Sequence, residues 1–100
     1  MRSMLKVVIG KKEGNQTIKD GTLPKIMGEL MEKIHPESAY FTLSCGERCA
    51  YFFFDFHDSS ELPLLLEPLF MQLGADISIT PAMNQQDLEK GFLSLQNMKF

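Results

Sequence analysis

The chain has 100 residues, 44% apolar and 23% charged, with a net charge of −3 and a pI near 5.3. That is the length of one domain, spanning 1–100, and the composition of a globular one. The acidic balance excludes a nucleic-acid binder working through massed Lys and Arg. No apolar run reaches the ~18 residues of a membrane span. Two Cys make no disulfide framework and the first residues carry no secretion signal, so a reducing cytoplasm is expected.

Met4 to Ile9 is apolar and β-branched and closes at Gly10, which predicts a strand. Lys11 to Gly21 is polar and holds Gly14 and Gly21, so it reads as a loop or a loose helical turn. The period then changes. Leu23, Ile26, Met27, Leu30, Met31 and Ile34 fall on one face of a helix, with Thr22 as N-cap and Pro24 in its first turn. His35-Pro36 ends it, because the residue before Pro avoids the helical region.

Ser38 to Ser44 and Arg48 to Phe56 are rich in aromatic and β-branched residues and flank Cys45-Gly46-Glu47, the pattern of a β-hairpin with Ser44 paired near Arg48. Asp58, Ser59 and Ser60 offer caps for a second helix. Its face is Leu62, Leu65, Leu66, Leu69, Phe70 and Leu73, and Gly74 suits the residue after its end. Ala75 to Thr80 alternates as a strand. Asn84, with Asp87 three residues on, caps a last helix over 84–98 whose stripe is Leu88, Phe92 and Leu95.

The order is therefore βαββαβ with an added C-terminal helix. The two main helices also match at an offset of 39: Leu23-Pro24 with Leu62-Pro63, and Ile26, Leu30 and Ile34 with Leu65, Leu69 and Leu73. Two pseudo-equivalent halves of this kind build a ferredoxin-like α+β domain with a four-stranded antiparallel sheet.

The third strand does not alternate. Ala50, Phe52, Phe54 and Phe56 fall on one face and Cys49, Tyr51, Phe53 and Asp55 on the other. Leu5, Val7, Ile9, Ala39, Phe41, Leu43, Ile77 and Ile79 form a wholly apolar set, expected beneath the helices. Met4, Lys6, Val8, Tyr40, Thr42, Ser44, Asp76, Ser78 and Thr80 form a mixed set. A mixed face carrying several rings is the composition of an interface, and stacking two sheets would bury it. Tyr40, Tyr51, Phe53, Lys6 and Asp55 are the expected contacts of such a homodimer. The C-terminal helix either covers this face of its own chain or crosses to the other subunit.

On these residues the chain resembles the dimeric α+β barrel group of ferredoxin-like proteins, in which two sheets pack face to face with helices outside. The group includes cofactor-free monooxygenases, decarboxylases, isomerases such as muconolactone isomerase, and stress-responsive barrel proteins. Asp20 to Lys25, Pro36 to Thr42, Asp58 to Pro63, Glu67-Pro68 and Pro81 to Met83 resemble, more narrowly, a family of small bacterial proteins. That family brings no established activity, so the resemblance implies a fold and a homodimer but no catalytic residue.

Few residues offer chemistry. The hairpin brings His35 and His57 to one rim of the sheet, with Glu37, Asp55 and Asp58 nearby in sequence. Such a group suits a general acid–base pair or a divalent cation. The usual metal spacings are missing, so no metal and no cofactor is assigned. His57, Asp55 and Tyr51 are the catalytic candidates. Asp55, placed in an aromatic strand, needs a partner, and Lys6 on the neighbouring strand is the expected one, with Asp76 competing for it. Tyr40 and Glu67 are the ligand-binding candidates: Tyr40 for its ring, Glu67 because Pro68 should kink the helix beside it and open a pocket. Cys45 and Cys49 are not spaced as CxxC and read as ordinary thiols. Arg48 to Phe54 has a faint likeness to the RNA-binding strand of RRM domains, but the first strand has no ring, so no nucleic acid is expected.

The expected function is binding of a small hydrophobic or aromatic molecule by a homodimeric barrel. The alternatives are a cofactor-free enzyme of the same group and a purely structural module.

Overall fold

The computed structural model describes residues 1–98. Strand β1 is Arg2–Ile9, β2 Ser38–Ser44, β3 Glu47–Asp55 and β4 Asp76–Pro81. Helix α1 is Lys11–Lys19, α2 Thr22–Ile34, α3 Leu62–Leu73 and α4 Gln85–Gln96, with a 3₁₀ turn at Ser59–Glu61 before α3. The strands form one antiparallel sheet in the order β2-β3-β1-β4. This is the ferredoxin-like α+β arrangement the alternating pattern predicts.

The core lies between the sheet and one layer of helices. Leu5, Val7, Phe52, Leu69 and Leu73 are fully buried, with Phe54, Ile26, Leu30 and Leu65 packed around them. The pseudo-repeat extends to the helix ends. His35 and Gly74, at the same offset of 39, both terminate their helices in the left-handed region, at φ 44° and 57°. That is the usual way to turn a chain out of a helix.

Four sequence expectations are corrected. First, Lys11–Lys19 is a regular nine-residue helix, where a loop or a loose helical turn was expected. It has no apolar stripe because the face it buries is small: Gly14 and Thr17. A Cβ on Gly14 would sit 2.5 Å from Arg48 Nη1, so a side chain there would displace the guanidinium that lies over this turn of α1. Arg48 then donates to Asn15 Oδ1 at 3.0 Å. Second, the hairpin turn has two residues. Ser44 pairs with Glu47, and Cys45 and Gly46 take φ values of 50° and 78°. Positive φ at both central residues makes the tight mirror-image turn whose twist matches the strands.

Third, Thr22 is the first helical residue and Gly21 the cap; the Thr22 amide donates instead to Asp20 Oδ1 at 2.9 Å. Fourth, Phe41 and Leu43 are not covered. They are 62% and 69% exposed, because β2 is an edge strand that α2 does not reach across. Phe70 of α3 is likewise exposed.

Candidate functional site

Two places gather the candidate residues, and the geometry of β2 explains the first. Phe41 lies opposite Ala50 and points to the helix side of the sheet, where its ring meets Phe52 edge-on at 5.9 Å and 84°. Leu43 lies opposite Arg48 on the same side. Above them α2 presents Leu23 and Met27, both half-buried. The gap left between helix and edge strand is an open groove of about 380 Å³, floored by Ile9 and Ala50 and lined almost wholly by carbon. Arg48 forms part of its wall, with its guanidinium hydrogen-bonded to Asn15 Oδ1. A volume of this size with an apolar lining and one or two polar groups is the usual make-up of a small-molecule site.

The second place is the rim of the sheet where β1 starts and β3 ends. Asp55, His35 and His57 do meet here, as the hairpin register requires. His57 Nδ1 lies 3.7 Å from Asp55 Oδ2. With Lys33, Glu61, Ile34, Phe54 and Leu65 they line a cavity of about 190 Å³. A shallower cavity of about 440 Å³ shares His35 and Asp55 and adds Arg2, Glu37 and Asp87. Among the described residues no group of three or more His, Cys, Asp and Glu side chains is placed to hold a metal ion.

Asp55 is not paired with Lys6. The Met1 ammonium donates to Asp55 Oδ1 at 2.7 Å and to the Phe56 carbonyl at 3.0 Å, and it holds the Asp55 carboxyl below the usual range. In the strand register Asp55 faces Arg2, while Lys6 faces Tyr51 and sets its ammonium 5.8 Å from that ring's centroid. The register thus places Asp55 four residues beyond the partner of Lys6, and Lys6 meets the Tyr51 ring in a cation–π contact instead of the expected ion pair. Asp76 faces Val8, also away from Lys6.

The three catalytic candidates are not brought together. Asp55 and His57 share the rim cavity, but Tyr51 is four residues up β3, about 13 Å along the strand. Tyr40 is 62% exposed on the open face of the sheet and lines a different depression with Phe53, Ala82 and Met83. Glu67 is exposed on α3 beside Pro68, which the helix accommodates in its interior. Neither Tyr40 nor Glu67 lines the apolar groove. The groove residues Phe41, Leu43 and Met27 and the rim residue Arg2 were not singled out by sequence. A readable signal existed for Leu43, which sits next to a turn on a strand with only one sequence-adjacent partner.

On the face away from the helices, β1 presents Met4, Lys6 and Val8, β2 Tyr40 and Thr42, and β3 Cys49, Tyr51 and Phe53. Cys49 is buried between Val8 and Thr42, whereas Cys45 is exposed at the turn; both thiols are free. Tyr51 and Phe53 are half-buried. Helix α4 does not lie over them: none of its residues is buried, and Leu88, Phe92 and Leu95 are 41%, 54% and 46% exposed. Among the described residues no helix is long and apolar enough to cross a membrane.

No protein-family model matches the chain, and no curated protein matches it either.

Proposed function

We propose that the protein is a homodimer of the dimeric α+β barrel kind that binds a small hydrophobic or aromatic molecule in the groove between α2 and β2. The observation that carries the ligand reading is the groove itself: about 380 Å³, apolar, open to solvent, and with Arg48 at its wall. Exposing Phe41 and Leu43 at 62% and 69% costs free energy in water, and an apolar occupant would recover it. The dimer reading rests on the uncovered rings of the other face and on the resemblance to small bacterial proteins of the barrel group. A reducing cytoplasm suits the two free thiols, one of them exposed.

Native mass spectrometry of the gently purified protein tests both parts. The expected spectrum shows a dimer near twice 11.4 kDa with retained extra mass, and the extra mass is lost in Leu43→Asp. A monomer overturns the dimer. A bare protein that also fails to bind 1-anilinonaphthalene-8-sulfonate, a small aromatic probe, overturns the ligand reading.

A second reading has its own observation. His57 lies beside Asp55 at 3.7 Å on a cavity with both polar and apolar walls. Closed to hydrogen-bond length around a substrate, such a carboxylate would orient the imidazole as a general base. This cofactor-free enzyme reading predicts a substrate at the rim, not in the groove. His57→Gln would then abolish turnover while leaving binding of the aromatic probe unchanged.

A further inference from the structure

We propose that α4 is an exchanged arm, which leaves its own subunit bare and lies along the open sheet face of a second copy of this chain. The inference rests on the dimer reading above and adds the element that seals the interface.

The first observation is that α4 is well formed yet alone. Its capping box is complete, with the Asp87 amide donating to Asn84 Oδ1 at 2.8 Å and the Asn84 amide to Asp87 Oδ2 at 3.0 Å. A helix of 12 residues is marginal in water without packing. Its stripe, Leu88, Phe92 and Leu95, falls at i, i+4 and i+7 and is the pattern of a helix that lies on a surface. Among the described residues nothing of its own subunit buries that stripe, and its three side chains stay 41–54% exposed.

The second observation is where the arm is rooted. Arg2 alternates with Met4 and Lys6 on β1, so its side chain belongs to the open face, and it donates to Asp87 Oδ2 at 3.1 Å. Ala82, Met83 and Asn84 border the same depression as Tyr40 and Phe53. The arm therefore leaves from the open side of the sheet. It also reaches beyond it: the molecule is 57 Å long, whereas its longest strand of nine residues spans about 30 Å.

The third is area. Four strands at about 4.8 Å spacing and seven residues in length present roughly 450 Å² of planar face. A stable interface takes about 800 Å² from each partner. The sheet alone falls short. In the same planar measure one side of a 12-residue helix, about 18 Å long and 10 Å across, adds roughly 180 Å² and closes about half of the gap. Charge agrees as well. Lys6 makes no ion pair among the described residues, and Glu89 stands next to the α4 stripe.

The test uses the full chain and the double variant Leu88→Ala/Phe92→Ala. Alanine removes the contacts while favouring the helix, and both positions lie outside the protomer core, so the fold is kept. Sedimentation equilibrium should show a dimer for the parent chain and a dissociation constant about 100-fold weaker for the variant. A parent dimer with an unweakened variant overturns the arm and leaves the dimer reading standing. A parent chain that is monomeric overturns both. Isotope-filtered NMR on a mixture of labelled and unlabelled copies locates the contact. Intermolecular signals between the Phe92 ring and the Met4 methyl are expected, and signals from Phe92 only to the other copy's α4 would sink the proposal.

Discussion

Arg2 Nη1 and Asp87 Oδ2 meet at 3.1 Å across 85 residues of sequence, while Arg2 Nε donates to Glu37. One guanidinium thus ties the start of β1 to the start of β2 and to the first turn of α4. It is the only cation bridging two carboxylates among the described residues. Arg2→Gln should leave the core intact but loosen the root of α4. Hydrogen exchange of the amides from Leu88 to Leu95 should accelerate, and more so at low salt, where the lost pair matters most. Unchanged exchange would show that the capping box alone fixes the arm.

The covered and uncovered aromatic residues should behave differently. Phe52 is fully buried, so Phe52→Ala should cost about 3–5 kcal/mol and unfold much of the protein at 37 °C. Phe41 is 62% exposed and contributes mainly its edge contact with Phe52, so Phe41→Ala should cost only about 0.5–1.5 kcal/mol. The same change removes one wall of the groove and should abolish binding of the aromatic probe. Denaturant titration and probe fluorescence on the two variants separate stability from binding.

Gly28 sits inside α2 with open space where a side chain would be. Its backbone is helical, so glycine brings only the entropy of the unfolded chain. Gly28→Ala should raise stability by about 0.5–1 kcal/mol, or roughly 4 °C in melting temperature. A loss of stability would mean that something packs on this helix face.

The turn makes the opposite use of backbone freedom. Cys45 holds φ 50°, a region that costs a side chain with Cβ free energy unless it is Asn or Asp. Cys45→Asn creates the Asn-Gly pair that this turn prefers and should stabilise by up to about 1 kcal/mol. Gly46→Ala, at φ 78°, should destabilise. Equal melting temperatures for the two variants would contradict the turn assignment.

Acid should weaken the fold through its capping carboxylates. The Ser60 amide donates to Asp58 Oδ1 at 2.9 Å and lowers the Asp58 carboxyl below its ordinary 3.8; hydrogen bonding from Thr22 does the same for Asp20. A lowered folded-state value means the unfolded chain binds the proton more tightly. The stabilisation is therefore complete above pH ~4 and is lost as pH falls below it. Asp58→Asn keeps a capping oxygen but cannot titrate. Its stability should fall less steeply than the parent's between pH 5 and pH 2, and thermal melts across that range read the difference.

The secondary structure of this chain was largely legible because periodicity is a local property. Ile26, Leu30 and Ile34 announced α2, Leu65, Leu69 and Leu73 announced α3, and Asn84 with Asp87 announced the capping box of α4. The pseudo-repeat at offset 39 carried the ferredoxin-like topology with it. Helix α1 was illegible for a physical reason: the residues it buries are Gly14 and Thr17, which carry no apolar side chain. A hydrophobic period cannot report a contact made by glycine.

The candidate sites depended on facts that no local pattern holds. Which apolar residues are covered is decided by how far a helix reaches across a sheet. Phe41 and Leu43 carry the same signal as Leu5 and Val7, yet the edge position of β2 leaves them in a groove. Partner choice in the strands is decided by register, which sets Asp55 four residues beyond the partner of Lys6, leaves it to the Met1 ammonium and gives Lys6 the ring of Tyr51. Side-chain periodicity is enough for the four strands, the three helices with an apolar stripe, their order and the two-faced sheet, but not for α1. Which faces stay open and which charges meet is set by the packing, because it depends on distances between segments that are remote along the chain.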